Sequence, residues 1–149
     1  MKDYGYFIDL PHSSERVWRI MQDYGKWAEF AGPMVLGVDV AERGDGNGNG
    51  LVRVVKYRLP LGFRGESVET ISELQPGIGY TYTSRKGTIG KLRLEKLGEN
   101  QTRLHFQELL KMNPPFSWFE SSLAGFMEKY NRKTMVNMSR WLDSHPEYR

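Results

Sequence analysis

Arg53, Glu66, Tyr82 and Glu108 are the side chains of this sequence best suited to chemistry. A carboxylate among apolar neighbours serves as a general acid or base, while a guanidinium or phenol can polarise a carbonyl. Arg53 and Glu66 fall on two segments joined by the turn 59–63, which places them nearly opposite each other. Such a pair is either an outer-face ion pair or a polar couple turned inward. Glu108 follows Leu104 and Phe106 at steps of two and takes their inward phase, whereas Arg103, His105 and Gln107 point outward. Tyr82 shares a phase with Tyr80 and Ser84, read as inward from their bulk. The chain has no cysteine, which excludes disulfides, thiolate metal sites and cysteine nucleophiles. His12, His105 and His145 are scattered without metal-ligand spacing, and all three read as surface residues. The run from Asp45 to Gly50 matches the first half of a calcium loop, but Lys56 stands where a bidentate glutamate is needed, so a flexible hairpin loop is the better reading. With no phosphate loop, dinucleotide fingerprint or nucleophile elbow, neither a metal nor a cofactor is implied.

The elements that must position these residues follow from hydrophobic period. Tyr4 to Leu10 reads as a strand ending at Pro11. Ser13 fits a helix N-cap, and Val17, Trp18, Ile20, Met21 and Tyr24 form an apolar stripe behind it. A second short helix is expected over 26–31. From 34 to 111 the period changes to two, giving strands near 34–42, 51–59, 65–74, 78–85, 88–97 and 102–111. Their connectors are short and rich in Gly, Asn and Pro, which forces an antiparallel meander. Ser117 and Glu120 fit a capping box opening a helix of about 26 residues that runs to Asp143. Phe119, Leu123, Phe126, Met127, Tyr130, Met138, Trp141 and Leu142 are expected on its apolar face. The result is one α+β domain over 1–149: a curved antiparallel sheet of seven strands around a long C-terminal helix, with two short helices between strands 1 and 2. A twisted sheet gripping a helix leaves a space between them. The expected walls are Val55, Val68, Tyr80, Tyr82, Leu92, Leu104 and Phe106, roofed by Phe126, Met127 and Tyr130.

Several short motifs share this order. Pro11-His12-Ser13-Ser14-Glu15-Arg16-Val17-Trp18 is followed by Asp23-Tyr24-Gly25-Lys26-Trp27-Ala28-Glu29-Phe30, then Gly50-Leu51-Val52-Arg53, Glu66-Ser67-Val68 and Gln75-Pro76-Gly77. Together they resemble the START/Bet v 1-like helix-grip superfamily (SRPBCC), in particular its polyketide cyclase/dehydrase-like branch. The resemblance implies that Arg53 and Glu66 face the cavity and hold polar ligand groups. It also implies that Leu59-Pro60-Leu61-Gly62 corresponds to a gate loop, with Leu59 and Pro60 near the ligand, and Arg85-Lys86-Gly87 to a latch.

Three functions fit. The first is carriage or sequestration of a small hydrophobic molecule such as a polyketide, isoprenoid, quinone or lipid. The second is a cyclase or dehydratase using Arg53, Glu66, Tyr82 and Glu108. The third is a protein-interaction module resembling chaperone activators. A net charge of +3 argues only weakly for nucleic acid, which is not expected as a partner. The start lacks a signal peptide's apolar middle and no run is long enough to span a bilayer, so a cytoplasmic location without stable membrane insertion is expected, as a monomer or weak homodimer.

Overall fold

The computed structural model describes residues 2–59, 62–112 and 116–148. In chain order the elements are β1 (Lys2–Leu10), α1 (Ser14–Gln22), a 3-10 turn (Tyr24–Lys26), α2 (Trp27–Ala31), β2 (Val35–Glu42), β3 (Val52–Arg58), β4 (Arg64–Gln75), β5 (Gly79–Ser84), β6 (Ile89–Gly98), β7 (Gln101–Leu110), a second 3-10 turn (Phe116–Phe119) and α3 (Glu120–Asp143). The seven strands form one antiparallel sheet in the order β1-β7-β6-β5-β4-β3-β2. This is the helix-grip arrangement expected from the order of elements.

Local chemistry accounts for the boundaries. Ser13 caps α1 by accepting the Arg16 N–H at 3.2 Å. In β4 a bulge between Ser72 and Gln75 turns Glu73 to a φ of +52°, so Ile71 and Leu74 both reach the interior. The main core joins α1, the sheet and the second half of α3, where Leu10, Val17, Ile20, Leu104, Met138 and Leu142 are wholly buried. Arg16 locks this end: its guanidinium donates to the carbonyls of Leu142, His145 and Tyr148, tying α1 to the last turn of α3 and to the segment that follows it.

Three expectations need correction. The capping box does not form, because Ser117 lies inside the 3-10 turn and the Glu120 carboxylate accepts the backbone N–H of Met112 at 3.0 Å. The buried stripe of α3 runs through Ala124, Thr134, Met135, Met138 and Leu142, leaving Phe119 and Phe126 exposed. His12 is buried rather than superficial. Arg16 lies 3.0 Å from its Nδ1 while its Nε2 meets Ser139 and Asp143, and burial, only partly offset by Asp143, pushes its pKa down.

Candidate functional site

The concave face of β3, β4 and β5 carries charge into the interior. Arg53 alternates inward with Val55 on β3, and register places it directly opposite Glu69 on β4. Only 2% of Arg53 is exposed. Its Nε donates to Glu69 Oε1 at 2.8 Å and a terminal nitrogen donates to the Tyr80 hydroxyl at 3.3 Å. The guanidinium carbon lies 4.9 to 5.4 Å from the ring centres of Tyr24, Trp27, Tyr80 and Tyr82. Rings at this distance attract a desolvated cation. Burial opposes the charge, but the surrounding Tyr80, Glu69 and Tyr24 outweigh it and Arg53 stays protonated. Ser67 completes the pair by donating to the second Glu69 oxygen at 2.9 Å.

A second carboxylate lies three strands along the sheet from Glu69. Glu108 on β7 accepts from the Tyr4 hydroxyl at 2.8 Å and from the Tyr82 hydroxyl. Asn131 of α3 in turn donates to the Tyr4 oxygen at 2.9 Å, tying the helix to this group. Burial raises the Glu108 pKa above its ordinary 4.5, against the lowering effect of the two phenols. Burial and the adjacent Glu108 likewise push the Tyr82 phenol well above 10.0. Gly90 makes this possible: it faces Tyr82 across the β5–β6 pair, and a Cβ there would sit 2.2 Å from the Tyr82 ring. Tyr82 thus joins the two clusters, with its ring against Arg53 and its hydroxyl on Glu108. The arrangement offers a fixed cation, an acid of raised pKa and several phenols in a desolvated space. That set can orient an oxygen-bearing apolar molecule or pass it a proton. Among the described residues no group of three His, Asp or Glu side chains is placed to hold a metal ion.

The amino-acid pattern of residues 6–142 matches that of the family described as polyketide cyclase / dehydrase and lipid transport. The chain belongs to this family. No curated protein matches it. Solved structures share its fold at low identity. A START superfamily protein from Mycobacterium smegmatis is 13% identical, with a TM-score of 0.76 over 94% of this chain and 98% of that one. The Zhui aromatase/cyclase from Streptomyces sp. R1128 is 14% identical, with a TM-score of 0.74 over 97% of this chain and 94% of that one. A conserved protein from Geobacillus kaustophilus is 9% identical, with a TM-score of 0.77 over 97% of each chain. The family's description spans both cyclase or dehydrase chemistry and lipid transport.

Against that family frame, Arg53, Tyr80, Tyr82 and Glu108 come together in the interior, and Leu92 and Leu104 are buried beside them in the sheet. Glu66 does not join them. It pairs in register with Lys56 and is exposed, because Arg53 is matched three residues further along β4. Val68 adjoins Glu69, so alternation turns it to the outer face opposite Val54. Phe126 is 39% exposed, stacked on Tyr130, whose hydroxyl donates to the Ala31 carbonyl rather than into the site. Met127 and Phe106 pack with Tyr4 and Leu110 in a small second cluster. Val55 and Leu59 are half-buried, and Pro60 lies outside the described residues. Several of the protein's own rings and charges stand in the interior on this face of the sheet, among them Tyr4, Tyr80, Tyr82, Arg53 and Glu108. Two surface depressions, of about 640 and 230 Å³, lie along β1, β6 and β7 and are lined largely by outward residues such as Lys91 and Gln107. Sequence reasoning missed Glu69, Tyr4, Tyr24, Trp27 and Asn131. Among the described residues no helix is long and apolar enough to cross a membrane.

Proposed function

We propose that this chain binds a small hydrophobic molecule carrying a carbonyl, carboxylate or phenol oxygen, between the concave sheet and the first half of α3. The observation that carries this reading is the buried Arg53, held by Glu69 and ringed by four aromatic side chains. A buried ion pair is a poor way to stabilise a core, since apolar residues of similar volume generally serve at least as well. Its retention fits a cation kept for a ligand's oxygen, with the rings offering stacking surfaces that a flat apolar molecule can share. Entry requires the start of α3 to move away from the sheet, and Leu123, Met127 and Tyr130 are half-buried along that seam. Native mass spectrometry of gently purified protein is expected to show a bound apolar molecule, lost in the double variant Arg53→Met/Glu69→Gln. Retention of the same molecule by that variant would overturn the role of the ion pair.

A second reading, cyclase or dehydratase chemistry, is favoured by one observation: Glu108 has a raised pKa and shares a hydrogen bond with Tyr82. Under this reading Glu108 exchanges a proton with a substrate oriented by Arg53. Glu108→Gln is then expected to abolish turnover of an aromatic polyketide while leaving its affinity nearly unchanged. Equal turnover in the variant would exclude Glu108 as the acid–base group.

A further inference from the structure

The two ends of the molecule differ in both charge and exposed rings. Strand register gathers the start of β1, the β3–β4 and β5–β6 turns and the approach to α3 at one end. The described residues of segments 2–4, 57–66, 84–89 and 110–122 contain Lys2, Arg58, Arg64, Arg85, Lys86 and Lys111 against Asp3, Glu66 and Glu120. That surplus of three equals the net charge of the whole chain. The opposite end, built from 9–16, 42–51, 95–103 and 143–148, holds eight acidic side chains against four basic ones.

The basic end also carries large rings in water. Phe63 at the β3–β4 turn is 67% exposed, Trp118 73% and Phe116 56%, with Phe119 stacked on Trp118 at 3.6 Å. The six basic side chains make no ion pair with another described residue. Arg58 and Arg64 even sit directly opposite each other across β3 and β4, where like charges repel unless an anion lies between them. Exposed Trp and Phe beside unpaired Lys and Arg fit the headgroup zone of an anionic bilayer, where rings enter the acyl boundary and cations meet lipid phosphates.

We propose that this end docks reversibly on membranes rich in anionic lipid, with Phe63, Phe116 and Trp118 entering the interface and Arg58, Arg64, Arg85 and Lys86 contacting headgroups. The acidic far end is repelled by the same surface, which fixes the orientation. An acidic protein would satisfy the cations, but it gives less reason for three rings to stand out in water, and so a lipid surface is the occupant favoured. The proposal concerns the outer surface and holds whatever occupies the interior.

The test is co-sedimentation of the whole chain with vesicles of phosphatidylcholine alone or mixed with phosphatidylglycerol, at low and high salt. Wild type is expected to bind the mixed vesicles at least about tenfold better than the neutral ones, with the difference shrinking as salt rises. Arg58→Gln/Arg64→Gln is expected to lose about tenfold or more in binding to mixed vesicles. The tryptophan emission of wild type should shift blue on the mixed vesicles and that of Trp118→Phe should not. All three side chains are exposed, so unchanged thermal midpoints verify folding. No binding to mixed vesicles, the outcome expected of a surface built for an acidic protein, overturns the proposal. So does undiminished binding by the Arg58/Arg64 variant.

Discussion

The two halves of the interior are built on opposite principles. Around α1 and the end of α3 the chain packs Leu10, Ile20, Leu104, Met138 and Leu142 with no water contact, and Arg16 seals the helix end. Elsewhere it buries charge among aromatic rings: Arg53 and Glu69 beside Tyr24 and Trp27, and Glu108 beside Tyr82 and Tyr4, which Asn131 ties to the first half of α3. Apolar packing stabilises through removal of surface from water, whereas desolvation offsets most of what a buried ion pair gains. One half therefore holds the fold together, and the buried charges of the other add little to it.

Substitutions can break this contrast. The largest loss is expected from Arg53→Ala, about 3 to 5 kcal/mol, because Glu69 is left buried without its cation. Replacing both partners, as in Arg53→Met/Glu69→Gln, should recover most of that loss, and urea titrations of the two variants make the comparison. In the apolar half Leu104→Ala is expected to cost about 3 kcal/mol through the cavity it opens, with no second substitution of this kind to restore it. Tyr82→Phe removes one donor to a buried carboxylate and should cost about 2 kcal/mol in the same titrations.

The pH dependence sharpens the contrast further. Glu108 titrates at the ordinary 4.5 when unfolded and higher when folded, so between the two the folded state binds the extra proton. Its favourable contribution is complete below 4.5 and disappears as pH rises through the raised folded pKa. Facing it are Tyr4, Tyr82, Glu69 and Arg53. Wild type should therefore lose stability relative to Glu108→Gln as pH climbs from about 4.5, and parallel unfolding curves at all pH values would contradict this. The smallest effect is expected from Glu66→Ala, under about 0.5 kcal/mol, since this side chain is exposed on the outer side of β4.

The order of strands and helices was legible because period and turn chemistry agree along the chain, from the Ser13 cap to the Gly-rich connectors. Inward phases were legible wherever apolar residues alternate cleanly, as in Leu92 and Leu94 or Leu104, Phe106 and Glu108. Glu69 was missed because β4 alternates polar residues on both faces, leaving register to decide. Arg53 and Glu69 lie equally far from residue 61 at the turn's centre, and that symmetry was the available signal. Tyr4, Trp27 and Asn131 reach the site from other elements, and no local pattern announces such long-range contacts. The start of α3 misled because its aromatic residues satisfy helical spacing, while the side chain it buries against Tyr4 and Leu110 of the sheet is that of Ala124.

The most direct measurement is fluorescence titration with anilinonaphthalene sulfonate, a flat apolar anion that matches both the rings and the cation. Wild type is predicted to bind it saturably, one per chain, and Arg53→Met/Glu69→Gln to bind it about tenfold more weakly at a temperature where both proteins are fully folded. Equal affinity in the two proteins, or no saturable binding by wild type, would contradict the claim that the buried charge exists to receive a ligand.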